Sequence, residues 1–310
     1  MILSIIIPTF NRRPILMRGL KEIAGQCQRG DAEVVVVDDG SVDDTVASVE
    51  LWARESPVPV RMIRQDHRGP ATARNRGLAA AHGRLVLFMG DDVVAAPGLV
   101  EAHLAHHHRF PGEDVAVLGR VTWSRELHIS PLMHWLEHGG PQFCYDKITD
   151  PMNVPPVFFW TANISVARSF VCEAGGFSER FPGAAFEDVE LGARLGQRGM
   201  RFHYEPAAVG YHHHPVTLRG SLARMESLAQ GALIADATIP GLITLGRDTP
   251  WARARRALAH SRPVLAVVEA WAPVCTAVPA LRAPYFRFVH DLFYRAALRR
   301  LIQETRWSPS

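Results

Sequence analysis

Three apolar runs in this chain stop abruptly in polar residues: LSIIIPTFNR, EVVVVDDGS and RLVLFMGDDV. The second ends in Asp38 and Asp39, the third in Asp91 and Asp92. Adjacent carboxylates repel one another unless they are solvated, cap a helix or hold a cation. Acidic residues gathered at one edge call for a compensating charge, which a divalent metal with a phosphorylated ligand would supply. A further pair, Glu187 and Asp188, opens the segment FEDVELGARLGQRG, and three imidazoles follow a strand-like run in YHHHP, Tyr211 to Pro215. Three histidines at a strand end, in a chain with two carboxylate clusters, suggest a metal ligand. Arg74 and Arg76, in RGPATARNRGLAAAHG, fall on a helix near the same edge, where a guanidinium fork could grip a diphosphate.

Each of these features also has a plainer reading. DDGS is ordinary turn composition, Asp92 could cap a helix, and the helix dipole favours Glu187 and Asp188 at a helix start whatever the function. The arginine helix could show its charges only to water. His103, His106, His107 and His108 read as a solvated helix face rather than a metal site.

Continuous apolar runs suit strands buried on both faces, as in a parallel sheet, and ligands of such sheets sit beyond the carboxyl ends of the strands. Up to about Val94 strand and helix patterns alternate, with helices expected over Pro14 to Cys27, Asp43 to Arg54 and Pro70 to His82. Ser41 is a candidate cap for the second, and Pro70 sits in the first turn of the third, where its missing amide is harmless. Pro97 to Arg109 and Phe186 to Arg198 read as helices, the latter with Glu190 and Arg194 paired at i,i+4. AVLGRVTW, WTANISV and MRFHYEPAAVGYH read as later strands. The Pro- and Gly-rich stretch from Ser130 to Pro156 reads as loop and short helix, a wall or lid over a pocket. Beyond Pro215 the chain turns to Ala, Leu and Arg without strand signal. The expected class is therefore α/β, with a doubly wound, mostly parallel sheet over 1–215 and a helical C-terminal region over 216–310.

Of 310 residues, 34 are Lys or Arg and 31 Asp or Glu, a net charge of +3 that is too small to argue for nucleic acid. The four cysteines, at 27, 144, 172 and 275, form no CxxC pair, which fits reduced thiols better than a disulfide framework or a zinc site. The N-terminus lacks a basic region ahead of its apolar run, so it reads as a first strand rather than a signal peptide.

Taken in order, SIIIPTFNR, VVVVDDGS, GPATARNRGLAAAHG, LFMGDDV, ANISVARSF, GGFSERFPGAAFEDVELGARLGQRG and YEPAAVGYHHH resemble the family 2 glycosyltransferases of the GT-A fold, over about residues 1 to 215. The resemblance implies a nucleotide-diphosphate sugar donor, a Mn2+ or Mg2+ ion, an acceptor hydroxyl on a glycan, a glycolipid or another hydroxyl compound, and inversion at the anomeric carbon. It also implies roles by position. Pro8, Thr9 and Phe10 would line the base and ribose, Asp38 or Asp39 would contact the nucleobase, and Arg74 would reach the nucleotide. Asp91 and Asp92 would hold the metal with His212 as a third contact. Asp188 would be the general base, with Glu187 next in line. Many relatives have Asp where Met89 stands, so the metal would be held more loosely here or would lean more on His212.

Two other readings stay open. A nucleotidyltransferase would need a Gly-rich, basic loop after the first strand, which PTFNR does not provide. An inactive sugar-nucleotide-binding scaffold would not need Asp92, Asp188 and His212 together. The resemblance points to bacterial cell envelope polysaccharide or glycolipid synthesis in the cytoplasm. The basic and apolar tail, 251–307, would serve either a peripheral contact at the inner face of the membrane or a packing or dimer contact. Phe286, Val289, Phe293, Ala296 and Arg300 share one helix face there. PVLAVVEAWAPVCTAVPAL, interrupted by Glu269, Pro273 and Pro279, reads as buried or interfacial rather than spanning.

Overall fold

A computed structural model describes residues 1–27, 30–181, 183–236, 238–240 and 262–305. In chain order it contains β1 (Leu3–Thr9), α1 (Arg13–Gly25), β2 (Ala32–Asp38), α2 (Thr45–Ala53), β3 (Val60–Arg64), α3 (Pro70–Ala80), β4 (Leu85–Met89), β5 (Val93–Ala95), α4 (Leu99–Arg109), β6 (Val115–Trp123) and α5 (Pro131–His138). There follow β7 (Asn163–Ala167), α6 (Arg168–Glu173), α7 (Glu187–Gln197), β8 (Arg201–His212), α8 (Leu218–Asp236), α9 (Arg262–Ala277) and α10 (Pro279–Thr305). The chain forms two compact units: 1–127 with 147–214, and 128–146 with 215–310.

The first unit is built on one eight-stranded sheet in the order β3-β2-β1-β4-β7-β6-β8-β5. The four strands from β3 to β4 run parallel. β7 runs against both β4 and β6, β8 lies parallel to β6, and β5 pairs antiparallel with the end of β8. The apolar runs of β1, β2 and β4 are buried along nearly their whole length, because helices cover both faces of a sheet wound by βαβ crossovers. Burying each such Ile, Val or Leu stabilises the fold by roughly 1.5–3 kcal/mol relative to exposure. β3 carries no continuous apolar run, and β5, though apolar, is only three residues long, so neither showed in the sequence pattern. β3 is a half-buried edge strand.

Two expectations fail here. Ser41 does not cap α2: its Oγ accepts from the Asn11 amide at 2.8 Å, and Asp43 instead accepts from the Thr45 amide at 3.1 Å. The histidines of α4 are not a solvated face. His103, His106 and His107 are buried, at the i, i+3, i+4 spacing of one helix side, and only His108 is exposed. The reason lies in β7, whose buried Asn163 and Ser165 must find partners. His107 Nε2 lies 2.8 Å from Ser165 Oγ, Ser165 Oγ lies 2.8 Å from His103 Nδ1, and His103 Nε2 lies 2.9 Å from Asn163 Oδ1. Asn163 Nδ2 donates to the carbonyls of Ala208 and Arg120, so its Oδ1 is the acceptor and the relay runs from His107 to Asn163 through neutral rings. Burial pushes the His103 imidazole down to about 4 and that of His107 to about 3. Gly119 makes room for this: a Cβ there would meet Asn163 Nδ2 at 2.2 Å. On the same helix His106 bridges Glu205 and His203, each at 3.1 Å.

In the second unit α8, α9, α10 and α5 pack together. Leu222, Val268 and Val289 form one core cluster and Ala229, Ala297 and Leu298 another. Trp135 rests on His290, ring centroids 4.9 Å apart, and the Nε2 of His290 lies 2.7 Å from Ser221 Oγ. The face marked by Phe286, Val289, Phe293 and Ala296 is the packing face of this unit rather than an outward one, and Arg300 pairs with Glu226 at 2.5 Å. The segment WARARRALAHSR lies outside the described residues except for the backbone of Arg262. No described helix is long and apolar enough to cross a membrane.

Candidate active site

The carboxyl ends of β1, β2 and β4 lie side by side because these strands pair in parallel. Beyond β4 the chain turns at Gly90 and presents Asp91 and Asp92. Asp91 Oδ2 accepts from Thr9 Oγ1 at 2.9 Å. The short β5 then pairs with the end of β8, with Val93 opposite His212, and the His213 amide donates to the Asp92 carbonyl at 2.7 Å. This pairing carries His212 to the acidic turn, with its Nε2 3.4 Å from Asp92 Oδ2. Trp123, opposite His212 on β6, meets its ring edge-on at 5.3 Å.

Arg12, just after the first run, pairs through Nη1 with Asp92 Oδ2 and lies 3.7 Å from Asp91 Oδ1. Burial raises the Asp91 carboxyl, and the neighbouring Asp92 charge raises it further. Burial acts on Asp92 as well, but its hydrogen bond to His212 and the charges of His212 and Arg12 outweigh it and hold that carboxyl well below the usual range.

A second group forms at the start of α7. Phe186 adopts a left-handed backbone at φ +67, which a bulky residue rarely tolerates. The chain then enters the helix with Glu187 buried and Asp188 half-buried. Glu187 Oε1 accepts from Arg74 Nη1 at 2.8 Å, and the Arg74 guanidinium stands 5.5 Å over the Phe177 ring. Asp188 accepts from the amides of Val189 at 2.8 Å and Thr161 at 3.4 Å. Burial pushes its carboxyl up to about 6, helped by the Glu187 charge and opposed by Arg74. The expected Glu190–Arg194 pair is present at 2.8 Å.

The remaining expected site residues surround the loop after β2. Asp38 accepts from the Ser41 amide at 3.1 Å. Asp39 gathers the loop before α3, accepting from Gln65 Nε2 at 2.7 Å, the Arg68 amide at 2.8 Å and the Gly69 amide at 2.9 Å. Both carboxylates are buried. Pro8 is half-buried at the end of β1, and Phe10 is exposed and stacks on His67 at 4.2 Å. Arg76 turns away and donates to the Arg64 carbonyl at 2.9 Å. Met89 is buried in β4, opposite Asn163.

Thus Thr9, Asp91, Asp92 and His212 come together in one group, and Arg74, Glu187 and Asp188 in another. Sequence reasoning gave no role to Arg12, Trp123 or Thr161. Arg12 was signalled only by its place beside the PTFN turn. Among the described residues no three His, Cys, Asp or Glu side chains form a ready-made metal cage.

The profile of the family described as "Glycosyl transferase family 2" matches residues 4–169, and that of "Glycosyl transferase family group 2" matches 91–302. Validoxylamine A glucosyltransferase of Streptomyces hygroscopicus subsp. jinggangensis (strain 5008) is 33% identical over 223 residues, covering 64% of this chain and 52% of that protein. Chondroitin synthase of Escherichia coli is 28% identical over 242 residues, covering 69% of this chain and 35% of that protein. The chain spans about half the length of the curated glucosyltransferases it matches. Among solved structures, mannosyltransferase PcManGT from Pyrobaculum calidifontis, in complex with GDP-Man and Mn2+, superposes with a TM-score of 0.64 at 21% identity, covering 97% of this chain and 87% of that one. S. aureus TarS 1-349 in complex with UDP-GlcNAc gives 0.60 at 20% identity, covering 98% and 92%. The structural likeness shows the GT-A fold, and with more than half of its length matched by the family profile, this chain belongs to glycosyl transferase family 2.

Proposed function

We propose that this chain is a metal-dependent, inverting glycosyltransferase that moves a sugar from a nucleotide-diphosphate donor to an acceptor hydroxyl, in bacterial polysaccharide or glycolipid synthesis. The observation that carries this reading is the approach of His212 to Asp92, 3.4 Å apart, although the two residues are far apart in sequence. Carboxylate oxygens suit Mn2+ or Mg2+, an added imidazole favours the softer Mn2+ over Mg2+, and a cation completed by phosphate oxygens needs only one or two protein carboxylates. Asp92 and His212 would hold it, with Asp91 beside them. A bound divalent cation would offset the charge that builds on the leaving diphosphate.

The chain's own groups supply the rest. Thr9 fixes one Asp91 oxygen. The exposed Phe10–His67 stack offers a flat surface to a base, while Pro8, Asp38 and Asp39 shape the turn beneath it. Asp188, partly open to solvent and raised in basicity, would take the acceptor's proton as the hydroxyl attacks from the face opposite the leaving group, so one base suffices. The amides of Val189 and Thr161 hold it in place, and the charges of Glu187 and Arg74 act on its proton affinity in opposite directions. That similar structures carry GDP-Man with Mn2+ or UDP-GlcNAc supports a nucleotide-sugar donor.

A panel of UDP-, GDP- and dTDP-sugars with Mn2+ tests the reading. One donor should raise the unfolding temperature, by the ligand's mass action, and be slowly hydrolysed. A panel with no stabilising donor and no hydrolysis would overturn it. We also place the protein in the cytoplasm, with its second unit able to touch a membrane surface or another copy. Val267, Trp271, Val274, Val278 and Leu281 leave an apolar face of α9 and the start of α10 exposed. Flotation with anionic liposomes and sedimentation of the free protein separate these two contacts.

A further inference from the structure

Arg12 closes the β1–α1 turn, and its surroundings aim it. Asn11 before it holds a left-handed backbone at φ +53, a conformation Asn tolerates better than most residues. The Asn11 amide donates to Ser41 Oγ and its Oδ1 accepts from the Val42 amide, both at 2.8 Å, so the turn is pinned to the loop after β2. From there Arg12 reaches the end of β4 and pairs with Asp92 Oδ2. This is the same oxygen that faces His212 Nε2 at 3.4 Å.

A divalent cation held by Asp92 and His212 would lie about 2.0–2.3 Å from each donor atom. Sharing that oxygen with the guanidinium in its present place would set two positive charges against each other. A metal arriving alone would strand a half-buried Arg12 beside a doubly charged ion. A metal arriving with a diphosphate would offer Arg12 a new partner, because the guanidinium fork matches phosphate oxygens. We propose that Arg12 is a built-in counter-cation that competes with the metal for Asp92 and yields it when the donor's diphosphate takes its charge. Metal and nucleoside diphosphate then favour each other's binding, reciprocally. The inference rests on the metal reading above.

The test is Mn2+ binding to the full chain, followed by the paramagnetic resonance signal of free Mn2+, with and without GDP or UDP. Without nucleotide, Arg12→Gln should bind Mn2+ about tenfold more tightly than wild type, equivalent to about 1.4 kcal/mol, and Arg12→Lys should stay near wild type. Arg12→Met serves if Arg12→Gln does not fold. With GDP or UDP present, wild type should gain more Mn2+ affinity than Arg12→Gln. Equal or weaker binding of Mn2+ alone by a folded, uncharged variant overturns the role of Arg12 while leaving the metal site standing. Wild type that binds Mn2+ as tightly without nucleotide as with it also overturns that role. If neither protein binds Mn2+ even with GDP or UDP, the metal reading falls and this inference falls with it.

Discussion

The amide of Gly90 donates to the carbonyl of Ala162 at 3.2 Å, which carries the β4–β7 pairing on to the two charged groups. Gly90 precedes the Asp91–Asp92 pair. Ala162 follows Thr161, whose amide faces Asp188. Beyond it Asn163 pairs with Met89 and anchors the histidine relay of α4. The segment 161–163 therefore sets the proposed base and the proposed metal carboxylates from one piece of backbone.

Asp188→Asn should keep donor binding, read by thermal shift, and lose most transfer, roughly 10²–10⁴-fold in kcat. Transfer at the wild-type rate would move the base to Glu187.

The pH profile should carry the same signature. A base must be deprotonated, and Asp188 is raised to about 6 by burial first and by Glu187 second, so kcat/KM should rise with pH through about 6. Glu187→Gln removes a charge that raises Asp188 and frees Arg74, which lowers it. The acid limb should therefore move to lower pH. A limb that stays in place would show that Asp188 does not report it.

His212→Ala should weaken Mn2+ binding in the presence of GDP or UDP by about tenfold or more, on the scale of other ligand-shell losses. Donor binding in EDTA should be unchanged. A variant with wild-type Mn2+ affinity would remove His212 from the metal site.

The α4 relay should make stability sensitive to acid. A His whose folded value is depressed takes up a proton on unfolding, so its contribution is complete above the unfolded value near 6.5 and is lost as pH falls toward the folded value. For His107 that window runs from about 6.5 down to about 3. Urea unfolding should show the gap between wild type and His107→Gln narrowing by about 1.4 kcal/mol per pH unit across it. A gap independent of pH would mean that His107 is not held neutral.

Gly192→Ala should disturb α7. A Cβ there would meet the Pro156 carbonyl oxygen at 2.4 Å and Phe159 Cβ at 2.5 Å, and backbone cannot step aside cheaply. Overpacking of this kind costs about 1–3 kcal/mol, and denaturant unfolding should show that loss together with reduced transfer.

The sequence by itself determined the parallel half of the sheet, because runs such as EVVVVD are stable only when covered on both faces, and it determined which carboxylates stand at the strand ends. It also carried the ordered motifs of the family. It could not determine how those carboxylates are partnered. Asp92 meets His212 because a strand of three residues, too short to be read from its pattern, pairs with the end of β8. The α4 histidines are buried only because β7 offers Asn163 and Ser165 to them. The tail's Phe286 face turns inward because α5 and α8 cover it. Periodicity records which residues share a face. What that face meets is decided by long-range pairing, and there the tertiary structure settled the partners of Arg12, Arg74 and Asp92.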